Sequence, residues 1–220
     1  MNIFHFLFGA LIIAGIFSAL KIREQNPDHT VVIYDGNQKI GRKLFATGNG
    51  RCNIVNMNAG PDSYYSQKPA DLSPVFSRYS PVRIREKLEE LGIPTEQTED
   101  GWVYPQSYSA ANVVQILSDT LRWQGIQVCS GVRAVKILHK ESQFYLGFSD
   151  ETKSAPFDRL ILTSGSRAFP QLGANTSILS ELFQFGHRDL PFVPALSPVS
   201  AKGDIFKMLQ GVRLDAETAI

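Results

Sequence analysis

Thr30-Val31-Val32-Ile33-Tyr34-Asp35-Gly36 is a β-branched run that closes on an acid and a glycine. Such residues favour a pleated, half-buried backbone, and the Asp-Gly pair marks where a strand stops. Immediately upstream, Lys21-Ile22-Arg23-Glu24-Gln25-Asn26-Pro27 reads as the last turns of a helix halted before a proline. Upstream again, Phe4 to Leu20 is apolar, and His5 is the one titratable side chain between Met1 and Leu20. Apolar segment, helix, strand, acid is the order of a βαβ opening and predicts an α/β, Rossmann-like fold with a parallel sheet. Asp35 follows Gly15 by 20 residues. That is the spacing at which a dinucleotide fold places the carboxylate that accepts hydrogen bonds from ribose hydroxyls.

The apolar run admits a second reading. As one helix, 20 residues at about 1.5 Å each would cross a bilayer core of about 30 Å, and Lys21 and Arg23 would flank it. A secretory signal fits less well, because no Lys or Arg precedes the run. The order of elements favours a buried strand and helix in a cytoplasmic protein, with membrane anchorage through residues 1–20 as the alternative. Composition narrows the partners. Lysine plus arginine number 22 against 21 acids, for a net charge of +1. This gives no electrostatic reason to expect nucleic acid or an anionic membrane as partner and leaves a small-molecule substrate. Two cysteines, Cys52 and Cys129, are too few for a disulfide scaffold or a thiolate zinc site, so no metal is expected.

Downstream of the acid lies Gly41-Arg42-Lys43-Leu44-Phe45-Ala46-Thr47-Gly48-Asn49-Gly50-Arg51-Cys52-Asn53. Glycines bracketing an asparagine let backbone amides turn toward an anion, and Arg42, Lys43 and Arg51 add positive charge. The same composition also describes a tight turn with solvated basic flanks. Residues 60–79 are polar, with Pro61, Pro69 and Pro74, and read as an exposed connection. Ser80-Pro81 starts a helix that stops at Gly92. Ser109 caps a second, with Val113, Ile116, Leu117 and Leu121 on one face and Gly125 at its end. Gly101 to Pro105 is extended, and Trp102, Trp123 and the nearby tyrosines read as packing. Strands over Val132–Leu138, Gln143–Phe148 and Phe157–Thr163 form an expected antiparallel meander, the last running into Ser164-Gly165-Ser166. A short helix over Thr176–Phe185 and a segment spaced by Pro191, Pro194 and Pro198 follow.

The string Gly41 to Asn53 (GRKLFATGNGRCN) resembles the signature of the BaiN-like (YhiN-like, aminoacetone oxidase-like) NAD(P)/FAD-dependent oxidoreductases. Gly101 to Ser107 resembles that family's G-x-V-[FY]-P-x-S segment, and Leu162 to Gly173 its L-A-T-G-G-K-S-Y-P-x-x-G stretch. Gly186-His187 and Pro194-Ala195-Leu196 resemble its later G-H and P-[AS]-L elements. The resemblance implies a three-layer FAD/NAD(P)-binding domain over 1–190 and the start of an inserted β-rich domain over 191–220. It implies FAD as cofactor, with NAD(P)H as reductant. Asp35 would hold the adenosine ribose, and Val132 would stand near adenine. Arg42, Lys43, Thr47, Gly48, Asn49, Gly50, Arg51, Cys52 and Asn53 would lie along the pyrophosphate toward the flavin, with Ser164 and Gly165 closing the other side. No catalytic acid or base is assigned, and Cys52 reads as a packing or cofactor-contact residue, not a redox thiol. The family opens on G-G-G-A-S-G, where this chain has Ala10-Leu11-Ile12-Ile13-Ala14-Gly15, so only the last glycine is kept. Ile12 would set a branched side chain where a phosphate must approach. Together with an end at Ile220, this leaves two expectations: a flavoprotein oxidoreductase, or a truncated, non-catalytic remnant of one.

Overall fold

The computed structural model describes residues 6–7, 12–64, 71–165 and 177–188. The chain divides into a unit Met1–Asp189 and a unit Leu190–Ile220. The second unit, and with it the expected start of an inserted domain and the Pro194-Ala195-Leu196 element, lies outside the described residues, as do Ala10 and Leu11.

The apolar N-terminal run does not form one spanning helix. Phe6–Leu7 is strand β1, paired parallel to β2, Val32–Asp35. Helix α1 covers Ile12–Gln25 and is 14 residues long, about 21 Å at 1.5 Å per residue and short of a bilayer core. Among the described residues no helix is long and apolar enough to cross a membrane. On its other edge β2 pairs parallel with β6, Gln127–Ser130, giving a sheet ordered β1-β2-β6.

Side-chain alternation along β2 builds three layers. Val31 and Ile33 enter a core with Ile16, Ala19 and Leu20 of α1 and with Val113, Leu117 and Leu121 of α4, Ala110–Trp123. Each such aliphatic side chain, taken fully from water, contributes about 1.5–3 kcal/mol before chain entropy. Tyr34 points the other way, onto the hairpin of β7, Ala134–Lys140, and β8, Gln143–Phe148. Its ring centroid lies 5.1 Å from that of Phe148. Helices, parallel sheet and antiparallel hairpin therefore stack in that order.

Between β2 and α4 the chain builds a small antiparallel sheet ordered β3-β5-β4, from Val55–Asn56, Trp102–Pro105 and Thr95–Gln97. The expected polar connection contains a 3-10 turn, Pro61–Ser63, and a short helix α2, Ser73–Arg78. Helix α3, Pro81–Glu90, starts where expected: the Ser80 hydroxyl accepts from the Arg83 N–H, with proline in the first turn. The Ser109 hydroxyl caps α4 in the same way by accepting from Asn112. Arg85 Nε donates to Thr95 Oγ1 at 2.9 Å, and that hydroxyl donates to Glu89 Oε1 at 2.9 Å, tying α3 to β4.

The expected third strand of the meander is corrected. Pairing with β8 occurs earlier, as isolated bridges Gly147↔Lys153 and Phe144↔Phe157, and no regular strand forms over 157–163. β8 begins at Gln143, so beyond the Phe157–Phe144 bridge it offers only one further residue to pair. Beyond Phe157 the chain runs extended instead, with Ile161 packed on the helix-side core and Leu160 and Leu162 on the hairpin side.

Candidate functional site at the carboxyl edge of the parallel sheet

Asp35 ends β2 and is 1% exposed. Its Oδ1 accepts from the Asn37 backbone N–H at 2.9 Å and from Asn37 Nδ2 at 3.0 Å, while Oδ2 has no partner among the described residues. Burial pushes the Asp35 carboxyl above its ordinary value; the two Asn37 bonds and the charge of Arg133 oppose that shift. The segment leaving β6 wraps the same strand end. Val132 N–H donates to Asp35 O at 3.0 Å and Gly131 N–H to Asn37 O at 2.8 Å. Asp35 and Val132 are thus brought together, as expected. Arg42 reaches the edge of this group, its Nη1 3.4 Å from Asn37 Oδ1.

The loop from Gly41 to Asn53 is seated on α4 by its first residue. Gly41 has φ +76°, and a Cβ there would lie 2.6 Å from Val114 Cγ2. Lys43 is half-buried and pairs with no carboxylate among the described residues; burial lowers its ammonium below the ordinary lysine value. Leu44 and Cys52 anchor the loop in the helix-side core. The Cys52 thiol is pushed up by burial, opposed by a bond to Thr47, which makes it a packing group. Between them Leu44–Gly50 forms 3-10 turns broken at Thr47, where Gly48 and Asn49 take left-handed backbone angles. Gly48 approaches Asn53 so closely that a Cβ would stand 3.1 Å from its backbone nitrogen. Gly48, Asn49 and Gly50 take left-handed angles in succession, with φ +56°, +54° and +85°. The Thr47 hydroxyl donates to Leu44 O at 2.7 Å. Arg51 turns away from Asp35: its Nε donates to Gly48 O at 3.2 Å, and its guanidinium lies 5.3 Å from the Tyr104 ring centroid.

Three expected residues, Gly15, Ser164 and Gly165, lie outside this loop. Gly15 is buried within α1, next to Ile16. There it fits the close helix–sheet packing that the last glycine of a dinucleotide turn serves. Ser164 is 5% exposed, and the side-chain oxygens of Thr163 and Ser164 are buried without a hydrogen-bond partner among the described residues. Gly165 follows with φ +84°. Buried hydroxyls without partners are costly, at about 1–3 kcal/mol each, and fit a polar ligand group that would bond them. Asn37, Arg133 and Thr163 were not anticipated from sequence. Asn37 was legible in principle, because Asp-Gly-Asn is an Asx-turn pattern, whereas Arg133 reaches Gly36 only across the sheet.

The HI0933-like protein Rossmann domain model matches residues 9–213. The chain belongs to this HI0933-like family. It is 32% identical over 206 residues to the 3-dehydro-bile acid delta(4,6)-reductase of Clostridium scindens, covering 94% of this chain and 50% of that protein. The ribosomal RNA dihydrouridine synthase of Escherichia coli is 25% identical over 207 residues, covering 92% and 50%, and that of Haemophilus influenzae 26% over 183 residues, covering 82% and 44%. The HI0933-like chain spans about half the length of the curated relatives it matches. Among solved structures, the E. coli quinol fumarate reductase subunit FrdA superposes with a TM-score of 0.53 at 15% identity, over 76% of this chain and 33% of that one. Thermovibrio ammonificans THI4 gives 0.52 at 15% identity, over 84% and 62%. These likenesses show a Rossmann-like fold. The RNA-modifying relatives also qualify the expectation, drawn from net charge alone, that nucleic acid is no partner of such a chain.

Proposed function

We infer that this chain binds FAD along the carboxyl edge of the β1-β2-β6 sheet and forms the cofactor-holding portion of a flavin-dependent reductase. The observation that carries the reading is the GRKLFATGNGRCN loop, docked on α4 with an unpaired Lys43, beside an acid that closes β2. Asp35 Oδ2 would accept from a ribose hydroxyl while Asn37 holds Oδ1, and Val132 would pack against adenine. Lys43 and the Gly48–Asn49–Gly50 backbone would face the pyrophosphate, and Thr163, Ser164 and Gly165 would close the opposite side. Bound FAD supplies hydride transfer; these residues position it and exclude water. NAD(P)H is the reductant this reading assigns.

The relatives' names support a reaction class. A delta(4,6)-reductase and a dihydrouridine synthase both saturate a ring C=C, in each case conjugated to a carbonyl. We assign this chain the same class, acting on a flat conjugated ring whose identity is open. The test is a titration of the purified 220-residue chain with FAD, followed by visible absorbance and flavin fluorescence. A saturable complex is expected, weakened about tenfold by Lys43→Met, the loss of one charge-assisted phosphate contact at roughly 1.4 kcal/mol. Absence of binding, or equal affinity in the variant, overturns the assignment.

A further inference from the structure

At the far end of the same loop, side chains from three segments form a stacked ladder. Arg51 lies over the Tyr104 ring, 5.3 Å from its centroid. Tyr104 stacks in turn on Tyr108, centroids 5.4 Å apart and planes inclined by 29°. Along β5 Val103 is fully buried, so Trp102 and Tyr104 share the opposite, outward face. Trp102 keeps 38% of its surface exposed and Tyr108 37%.

Local strain helps to assemble the ladder. Tyr108 has φ +47°, a left-handed backbone that costs a non-glycine residue about 1–2 kcal/mol. Its N–H donates to Pro105 O at 2.8 Å, closing a tight turn that folds the ring back over Tyr104. Its hydroxyl donates to the carboxylate of Glu96, the residue paired with Tyr104 across β4 and β5. A cation, two stacked rings and a third exposed ring on one sheet face exceed what packing of a three-stranded sheet requires.

We propose that the Arg51–Tyr104–Tyr108 ladder, with Trp102 beside it, is a stacking platform for the flat conjugated ring of the substrate. This rests on the FAD reading. The loop begins beside the acid assigned to adenosine and ends at Arg51, so the ladder stands toward the flavin end, where an acceptor ring must lie. Electron-rich tyrosine faces attract an electron-poor enone ring. Charge separates a free ring from a polynucleotide. Glu96 of β4 pairs with Tyr104, and Glu99 and Asp100 stand in the turn that joins β4 to β5; their charge opposes a phosphate backbone. The platform therefore fits a single neutral ring.

The chain has two tryptophans, and Trp123 is 83% exposed on α4. Trp123→Phe leaves Trp102 as sole reporter of the platform. Emission of this chain, corrected for ligand absorbance, is titrated with a 3-oxo-4,6-diene steroid, with uridine and with an oligouridylate, with and without FAD. Saturable quenching by the steroid or by uridine is expected, and which one binds identifies the source of the ring. Adding Tyr104→Ala or Tyr104→Leu weakens it about tenfold, in line with about 1–3 kcal/mol for ring stacking. FAD binding, read by visible absorbance, is unchanged by the Tyr104 variants, and circular dichroism checks that they fold. Quenching by neither ring, equal affinity in both Tyr104 variants, or an oligouridylate binding more tightly than uridine overturns the platform. Ring binding without FAD binding sinks the cofactor reading and leaves the platform standing.

Discussion

Asp35 is under two opposed demands. As the residue assigned to ribose it must present a charged acceptor, yet burial raises its carboxyl above the ordinary 3.8. The sign follows from proton counting. The folded state holds the proton more tightly than the unfolded state, so this group's contribution to stability falls as pH rises from 3.8 through the folded value. Asp35→Asn removes that loss and keeps an oxygen for the Asn37 N–H. Its melting temperature should exceed that of the parent by a few degrees at pH 7, with the gap closing below pH 3.8, while FAD affinity drops. Melts across pH and a flavin titration check both halves. Equal melting temperatures at pH 7 would show that the carboxylate is not destabilised by its site. At this scale the sequence spoke unevenly. Spacing from Gly15 singled out Asp35, and composition singled out Lys43. Ser164 was legible as a strand end and, through the family resemblance, as a residue closing the cofactor site, whereas the burial of its hydroxyl and that of Thr163 without a partner among the described residues is a property of the fold.

At the scale of elements, caps and periodicity were read most faithfully. Ser80-Pro81 and Ser109 start α3 and α4 because a hydroxyl satisfies an N–H that the helix leaves open. Strand β6 was missed, since Gln127-Val128-Cys129-Ser130 carries one β-branched residue and owes its conformation to β2. The third meander strand does not form because Phe157 already pairs with Phe144, one residue from the start of β8, which leaves Arg159 to Thr163 no β8 residue to meet. The loop from Gly41 to Asn53 depends on its seat on α4. Gly41→Ala adds left-handed strain of about 1–2 kcal/mol and a methyl 2.6 Å from Val114 Cγ2, an overpacking of about 1–3 kcal/mol. Together these should lower the melting temperature by roughly 5–10 °C. Adding Val114→Ala should recover the steric part and leave the backbone part. Calorimetry of the two variants decides it, and additive losses would mean that the loop does not rest on Val114.

For the molecule as a whole, the three layers leave one edge of the parallel sheet where Asp35, Val132 and the basic loop meet. On the proposed reading those residues would address one half of a dinucleotide: Asp35 and Val132 would face the adenosine and Lys43 the diphosphate, with the flavin ring met only at the end of the loop. Affinity should therefore reside in the adenosine diphosphate half. ADP should compete with FAD at a Kd within about tenfold of FAD's own, and FMN should bind at least about tenfold more weakly than ADP, since it offers one phosphate and no adenosine. Salt gives an independent readout. With a net charge of +1 the protein exerts little long-range pull, so attraction of ADP comes from the local cations. Screening shortens from about 10 Å at 0.1 M to about 3 Å at 1 M. ADP affinity should weaken severalfold over that range in the parent chain and change less in Lys43→Met. Competition titrations with ADP and FMN at both salt concentrations make the comparison. FMN binding as tightly as ADP would move the site away from Asp35 and toward the Arg51 end of the loop.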